Sequence, residues 1–551
     1  MTIPYNSLPS YNELFIKYIE SFESLKKFYD FNYRGDDDFL KCIEHKKQNY
    51  LSGKNFFRKD ICAILKAQNE KFNSSEKTFE NIKHLNEDDT FAVITGQQMG
   101  LLTGPYYTIL KAINTVQLSE KLNNKYTGYK FVPVFWLESD DHDFLEINNI
   151  NIVSKDNELK NIKYFEKGEE SEKYLKPAGN IIFDGHIDNF INELESSLTK
   201  TDFTEDLFVN IRNSYKKGMD LKTSFASFLN LLLKDRGLIF IDPSDKEIKE
   251  ILKPVFLKEL ETSPQVCEKV IHTSVELEVN YSVQVKPKAI NLFYIHDGNR
   301  YLLEPRENDI YALKHSRQKF SKEELFSILE SNPERFSWNV VTRPICQDYL
   351  LPTVAYIGGP SEVSYFAQFK DVYKFFNMPM PVIYPRTSIT ILESRVKTFL
   401  DKHNLKFNEL FYEKDLNKKL IRSTSEVSAD QIFSDLKDEL TGVFYSYEKE
   451  LSRIDANQTE ALSKRNKQFI DSLEVYREKF TNAQSKQNEV LSGQLLKVLI
   501  SVYPDDTLQE REINITYFLN KYGPEFIDYL IDELKVDVFE HQLIDASVSR
   551  N

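Results

Sequence analysis

The sequence predicts an α/β fold built on a parallel sheet, with a long helical coiled coil in its C-terminal third. Two observations carry this. Phe91-Ala-Val-Ile-Thr95 is a short apolar run, followed by a glycine-bearing loop, a helical stretch from Tyr107 to Leu118, and a second apolar run, Phe131-Val-Pro-Val-Phe-Trp136. Strand, loop, helix, strand is the unit from which parallel sheets are made. Second, no proline occurs between Pro385 and Pro504, and the only glycines there are Gly442 and Gly493. Within that stretch apolar residues fall at Leu436, Leu440, Val443, Tyr447, Leu451 and Ile454, and again at Phe469, Leu473, Tyr476, Phe480 and Ala483. Alternating steps of three and four make a coiled-coil seam, which needs a partner helix from the same chain or from a second copy.

Taken in order, residues 1–150 hold N-terminal amphipathic helices, from Tyr11 to about Leu85, and the first half of the sheet core. Residues 151–335 read as insertions with some core strands returning among them: Asn180-Ile-Ile-Phe183 and Gly237-Leu-Ile-Phe-Ile-Asp242 look like strands, and 291–304 looks like a hairpin around Asp297-Gly298, a pair suited to the positive φ of a two-residue turn. Residues 336–392 contain apolar runs such as Thr353-Val-Ala-Tyr-Ile357 and resume the sheet; 393–503 form an antiparallel coiled coil, to which Phe407–Leu420 contributes an earlier helix; 504–551 form terminal helices.

Composition narrows the functional class. A chain of 551 residues with 41% hydrophobic and 13% aromatic content has ample core material, so disorder is excluded. The net charge of −14 opposes non-specific binding to nucleic acid or anionic membrane, while leaving room for a local basic site. Cys42, Cys62, Cys267 and Cys346 are widely spaced, which favours reduced, buried thiols over a disulfide framework or a zinc cluster. The opening MTIPYNSLPSYNELF lacks the basic-then-apolar pattern of a signal peptide, and there is no apolar run of membrane-spanning length; a cytoplasmic protein is expected.

Three constellations can carry chemistry. The first is Thr95-Gly-Gln-Gln-Met-Gly-Leu-Leu-Thr-Gly-Pro-Tyr106, with Gly96, Gly100 and Gly104 between strand and helix and with Gln97 and Gln98 adjacent. Ligands bind at the carboxyl ends of strands in open sheets, and glycine lets backbone N–H groups approach an anion. The spacing matches neither the dinucleotide nor the Walker pattern, so a plain turn is the competing reading. The second is Glu138-Ser-Asp140-Asp141-His142-Asp143, directly after a buried strand. Crowded carboxylates need a cation, a metal or a substrate amine beside them, and a histidine among them suits general base catalysis. Helix capping explains one or two of these residues but not five. The third comprises Asn339, Arg343, Gln347 and Asp348, then Gly358, Gly359, Glu362 and Tyr365, and finally Arg386. Arginine grips carboxylates bidentately, although a buried ion pair would account for Arg343 and a plain turn for the glycines.

Taken together, TGQQMGLLTGPYYTILKA, VPVFWLESDDHDFLEI, SWNVVTRPICQDYLLPTVAYIGGPSEVSYFAQ and MPMPVIYPR resemble the bacillithiol biosynthesis cysteine-adding enzyme family (BshC), in the same order along essentially the whole chain. The resemblance implies a Rossmann-type core with connecting-peptide insertions, similar to class I aminoacyl-tRNA synthetases, and a coiled coil that makes a homodimer. It implies a ligase that adds L-cysteine to the amine of glucosaminyl-malate.

On that resemblance His142, Asp141 and Asp143 are the expected catalytic residues. Thr95, Gly96, Gln97, Gln98, Gly100, Gly104, Tyr106, Glu138, Asp140, Asn339, Arg343, Gln347, Asp348, Gly358, Gly359, Glu362, Tyr365 and Arg386 are the expected substrate-binding set. No metal is expected. Amide formation from a free carboxylate needs activation, so ATP, another nucleotide or an activated cysteine is expected, although no synthetase phosphate motif is visible. The rival readings are a metal- or nucleotide-dependent transferase or hydrolase on the same scaffold, its metal held by Asp140, Asp141, His142 and Asp143, and a non-catalytic coiled-coil ligand-binding protein.

Overall fold

Eight residues, Thr90–Gln97, form the middle strand of the main sheet (β1), buried along its length up to its last residue. The computed structural model describes residues 1–9, 11–51, 57–165, 175–412, 416–417, 420 and 428–547. Two compact units emerge: Met1–Leu392 together with Thr507–Asn551, and Glu393–Asp506.

In the first unit the chain leaves β1 through a tight loop, runs along the helix Tyr107–Lys125 (α1), and returns as Lys130–Leu137 (β2). The edge strand Ile239–Ile241 (β3) comes back from within the expected insertion, and Thr353–Gly358 (β4) and Val382–Pro385 (β5) complete the sheet. The order is β5-β4-β1-β2-β3, with every pairing parallel. The chain builds outward on one side of β1, then crosses over and builds on the other. The crevice of such a sheet opens where that direction reverses, beyond the carboxyl ends of β1 and β4. Both strands are continuous apolar runs rather than alternating ones, as parallel strands covered on both faces must be.

The loop after β1 owes its path to two glycines. A Cβ on Gly100 would lie 2.9 Å from the Cα of Gly104, and Gly104 itself has φ +67°. A side chain at Gly100 forces the loop apart, and one at Gly104 is strained by its positive φ.

The insertion carries a five-stranded antiparallel sheet in the order Lys319–Ser321, Ile310–Leu313, Asn299–Pro305, Leu292–His296, Phe336–Trp338. Its central hairpin turns at Asp297 (φ +49°) and Gly298 (φ +77°), with His296 paired to Asn299. The expected strand at 180–183 does not form. Ala178–Asn180 is a single 3₁₀ turn, and Ile182 makes only an isolated bridge to Asp220.

The terminal residues are more than helices. His541–Asp545 is a strand lying between Thr2–Ile3 and Ile389–Leu392. A buried polar network ties this segment down: Glu510 accepts hydrogen bonds from Arg386 Nη2 (2.7 Å), Ser388 Oγ (2.9 Å) and the Ile389 N–H (2.8 Å). His541 is bonded to Ser388 and Thr390 at 2.8 Å on either side of its ring, and burial pushes its pKa down to about 4.

The second unit is dominated by an antiparallel hairpin of Ala429–Leu451 (α2) and Ala456–Val502 (α3), the latter capped by Asp455. The hairpin closes on Phe433 against Phe480 (5.8 Å between ring centroids) and Phe444 against Phe469 (6.4 Å), with Lys437–Glu474 at 3.0 Å across it. Much of the predicted seam faces outward instead, including Val443, Tyr447, Ile454 and Tyr476. Phe407–Phe411 is a 3₁₀ segment, and most of 413–419, where the earlier helix was expected to continue, lies outside the described residues.

Candidate active site

A cavity of about 1260 Å³ opens at the carboxyl edge of the main sheet. Residues at or just beyond the ends of four of its five strands line it: Gln97, the last of β1, and Gln98, Glu138, Asp141 and His142 after β2, Gly359 and Glu362 after β4, and Arg386 after β5. The antiparallel insertion adds Phe293, Arg300 and Trp338.

Of the expected set, Gly96, Gln97, Gln98, Glu138, Asp141, His142, Asn339, Arg343, Gly359, Glu362, Tyr365 and Arg386 line this space. The others do not, each for a visible reason. Thr95 is buried and its hydroxyl donates to the Ile357 carbonyl (3.0 Å), tying β1 to β4. Gly100 and Gly104 pack on each other. Tyr106 is buried and bonds Ile389 O and Gln509. Asp140 is paired with Lys249, and Asp348 with Lys46 at 2.7 Å, all four fully buried. Asp143 is exposed and precedes the short helix Phe144–Ile147. Gly358 lies within β4 against Glu362. Gln347 stands one layer back, accepting from Arg343 Nη1 (3.1 Å) and donating to Asp348 (3.0 Å). The expected backbone cradle is also absent at these glycines: Gly100 N–H bonds Gln98 O, Gly104 N–H bonds Leu101 O, and Gly359 N–H bonds the Glu362 carboxylate.

The crowded acids after β2 are therefore offset by the protein's own cations. Lys249 takes Asp140 and Arg300 reaches Asp141 at 3.4 Å, while Asp242 after β3, which accepts from Ser139 Oγ, is taken by Lys222 at 2.7 Å. These acids do not converge, and among the described residues no group of three or more His, Cys, Asp or Glu is arranged to hold a metal ion. The metal-holding quartet of the rival reading is thus taken apart. Cys346 is buried, and burial raises its thiol pKa, so it offers no thiolate.

Glu138 sits between two indoles, accepting from Trp338 Nε1 (2.7 Å) and Trp136 Nε1 (3.1 Å). Burial raises its pKa despite Arg343 and the Trp338 bond. Arg300 is held by Ser337 Oγ (2.9 Å) and Trp338 O (2.6 Å), lies 3.8 Å over the Phe293 ring, and brings Nη1 to 3.1 Å from His142 Nδ1. Burial, then Arg300, lowers the pKa of His142, against Asp141 and Asp143. A guanidinium only donates, so Nδ1 accepts and the neutral ring carries its proton on Nε2. In this arrangement His142 offers a donor to the cavity.

Lys111, on α1, is part of the wall. It bonds Gly96 O (2.8 Å), Gln97 Oε1 (3.0 Å) and Glu362 (2.5 Å), and burial lowers its pKa. Burial alone would raise Glu362, yet Lys111, Tyr356 and the Gly359 N–H bring it below the ordinary carboxylate value. Arg343 has no carboxylate partner; its neighbours are Gln347, which accepts from Nη1 (3.1 Å), and Tyr365, whose pKa burial raises against the Arg343 charge and a hydrogen bond with it. Arg343 is 7% exposed, its guanidinium lies 5.0 Å from the Tyr356 ring centre, no carboxylate of the described residues is within 4 Å, and its Nη2 has no hydrogen bond. Arg386 spends Nη2 on Glu510 and Nη1 on Thr387 O, leaving a buried Nε unbonded. An added Cβ at Gly359 would come within 3.8 Å of that Nε.

Eight lysines and arginines line the cavity (Lys111, Lys286, Lys288, Arg300, Lys314, Arg343, Arg386 and Arg511) against three acids, Glu138, Asp141 and Glu362. In a chain of net charge −14 this is a pronounced local reversal, and such a cavity attracts anions. Sequence reasoning missed Arg300, Phe293, Trp338 and the mouth cations. No local pattern marks Arg300: strand alternation puts it on the face of Leu302 and Glu304, neither of them buried, and only the fold buries it.

The profile "Bacillithiol biosynthesis BshC, N-terminal Rossmann-like domain" matches residues 1–387, and "Bacillithiol biosynthesis BshC, C-terminal coiled-coil domain" matches 389–546. Curated relatives carry the cysteine ligase BshC name. One from Chloroherpeton thalassium is 34% identical, over 98% of this chain and 99% of its own length. One from Salinibacter ruber is 32% identical over 98% and 97%, and one from Bacillus cereus 31% over 88% and 90%. Among the described residues no helix is long and apolar enough to cross a membrane. Fold, ordered motifs and near-full-length similarity agree: the chain belongs to the BshC family of bacillithiol biosynthesis and is a ligase.

Proposed function

We propose that this enzyme joins the carboxyl carbon of L-cysteine to the amine of glucosaminyl-malate, forming the amide of bacillithiol. The observation that carries this reading is the pair of buried guanidinium donors without partners, Arg343 Nη2 and Arg386 Nε, in one cavity. An unmet buried donor costs about 1–3 kcal/mol, and an anionic oxygen relieves it. Malate presents two carboxylates, and two arginines suit them. The aromatic wall of Trp338 and Phe293 gives a sugar ring an apolar face.

At the acidic end, Glu138 and Asp141 suit a substrate ammonium. Because burial raises the proton affinity of Glu138, it is well matched to take the proton from the attacking amine. His142 Nε2–H is then placed to donate to the carbonyl oxygen as negative charge develops there. In this reading the cysteine carboxylate attacks a phosphorus of a nucleoside triphosphate, breaking a P–O bond and releasing the nucleoside diphosphate or pyrophosphate; the amine then displaces the phosphoryl or nucleotidyl group, which leaves with the carboxyl oxygen. No Walker loop cradles the nucleotide's phosphates, so side-chain cations have to hold them. A cytoplasmic location suits a thiol product.

The exposed row Val443, Tyr447, Ile454 and Tyr476 on α2, α3 and the turn between them supports a homodimer through the coiled coil. Changing Tyr447 and Tyr476 to glutamate is expected to give a monomer in sedimentation, and an unchanged dimer would refute that interface.

The reaction is tested by mass spectrometry on purified protein with L-cysteine and glucosaminyl-malate, with and without ATP. Bacillithiol only with ATP is the expected result. Product without ATP would remove the nucleotide, and no product in either mixture would shift the reading to another transferase on this scaffold.

A further inference from the structure

We infer that the open side of the cavity is a docking site for the phosphate groups of a second ligand, formed by Lys286, Lys288 and Lys314. This rests on the reading that the buried arginines take the substrate carboxylates. All three lysines line the cavity and all three are exposed, whereas Arg343, Arg386, Arg300 and Lys111 on its floor are buried. None of the three has an ion-pair or hydrogen-bond partner for its ammonium among the described residues, although exposed lysines elsewhere do pair, as Lys27 with Glu276 and Lys121 with Asp537. Like charges gathered without counter-charges repel one another, and a bound polyanion offsets that repulsion.

The lysines stand on anchored backbone. Lys286 and Lys288 flank Pro287. The ring fixes its own φ and holds the preceding residue to extended backbone, which sends side chains two apart to the same side. Just before them, the buried Gln368 side chain clamps Val285, accepting from its N–H (2.9 Å) and donating to its carbonyl (2.9 Å). Lys314 lies on the turn after Ile310–Leu313, its N–H bonded to Leu302 O (3.0 Å), beside His315 at φ +64°.

The two ends differ in chemistry. Guanidinium forks on the floor match planar carboxylates, while ammonium point charges at the mouth match tetrahedral phosphates carrying several charges. The volume of about 1260 Å³ exceeds the roughly 300–1,000 Å³ of a pocket for one small ligand, so both ligands fit together.

The test is calorimetric titration of the full-length protein with tripolyphosphate, ATP and L-malate in turn, for wild type, K286Q/K288Q and R343M. Binding of tripolyphosphate and ATP is expected to weaken by about tenfold or more in the lysine variant and to fall with added salt, while L-malate binding stays at the wild-type value. Unchanged tripolyphosphate and ATP affinity in K286Q/K288Q, or no binding of either by wild type, would overturn the phosphate site. Loss of malate binding in R343M, with phosphate binding intact, reports on the arginine site separately. ATP weakened together with tripolyphosphate assigns the recognition to phosphate, whereas ATP affinity maintained while tripolyphosphate is lost would overturn the site as a nucleotide site.

Discussion

Arg343→Met is expected to raise KM for glucosaminyl-malate by about 10²-fold, the equivalent of roughly 3 kcal/mol for a buried charge contact. The same variant is expected to be at least as stable as wild type in the absence of ligand. Both expectations follow from one feature. Arg343 is buried with Nη2 unbonded, no carboxylate within 4 Å among the described residues, and Gln347 as the acceptor for its other terminal nitrogen. A guanidinium kept for stability would have its donors met, because leaving one unmet costs free energy in the folded state. Removing it relieves that cost and removes a ligand contact, the usual exchange between stability and function at a binding site. If the contact is equally strong in ground and transition states, KM moves and kcat does not. Arg343→Lys keeps the charge but not the planar fork and should fall between the two. The measurements are steady-state kinetics and denaturant midpoints. A destabilised variant with an unchanged KM would show that Arg343 is a structural residue and would sink the carboxylate site.

The unit of β1, glycine loop, α1 and β2, the insertion hairpin and the helical hairpin were legible in the sequence because each rests on local pattern: continuous apolar runs for β1 and β2, Asp297-Gly298 for the insertion hairpin, and steps of three and four for α2 and α3; the order of the strands in the sheet was not. What local pattern cannot give is the partner of a charged side chain. Asp140 and Asp143 looked equivalent to Asp141, yet one is buried against Lys249, 109 residues away, and another is exposed. Asp348 looked like a ligand residue until Lys46, 302 residues distant, met it. In the opposite sense, nothing local singles out Lys286, Lys288, Lys314 and Arg511, and only the fold gathers them around one cavity. The net charge of −14 left room for a local basic site but could not place it, since a global sum says nothing about where the minority charges sit. The coiled-coil seam was placed in part, since its Phe480 and Phe469 do close the hairpin while other positions face outward, for a related reason. Periodicity finds an apolar stripe, but the hairpin closes on Phe433 and Phe444, leaving Val443 and Tyr447 for another partner.

Lys249→Met is expected to destabilise the protein by about 3–5 kcal/mol, the cost of breaking a buried ion pair from one side. Lys249 is wholly buried on the helix Lys246–Thr262. Its ammonium meets the Asp140 carboxylate, donates to Phe336 O (3.0 Å) and lies 4.0 Å from the Trp338 ring centre. Methionine fills much of the same volume, so the loss is of charge and hydrogen bonds rather than of packing. Asp140 would then be an uncompensated carboxylate, 1% exposed, two residues from Glu138 and next to Asp141. The double variant K249M/D140N removes the stranded charge and should recover most of the loss. The pair also joins the insertion to the site: the strand Phe336–Trp338, held by Lys249 at Phe336 O, carries the Trp338 indole that grips Glu138 and the carbonyl that grips Arg300. Activity at a temperature where K249M remains folded should therefore fall as well, with the apolar wall and the Glu138 contact loosened together. Denaturant unfolding of the three proteins measures the first effect. A single variant as stable as wild type, or a double variant no better than the single, would mean that Asp140 is not held by Lys249 and would reopen it as a ligand-binding carboxylate.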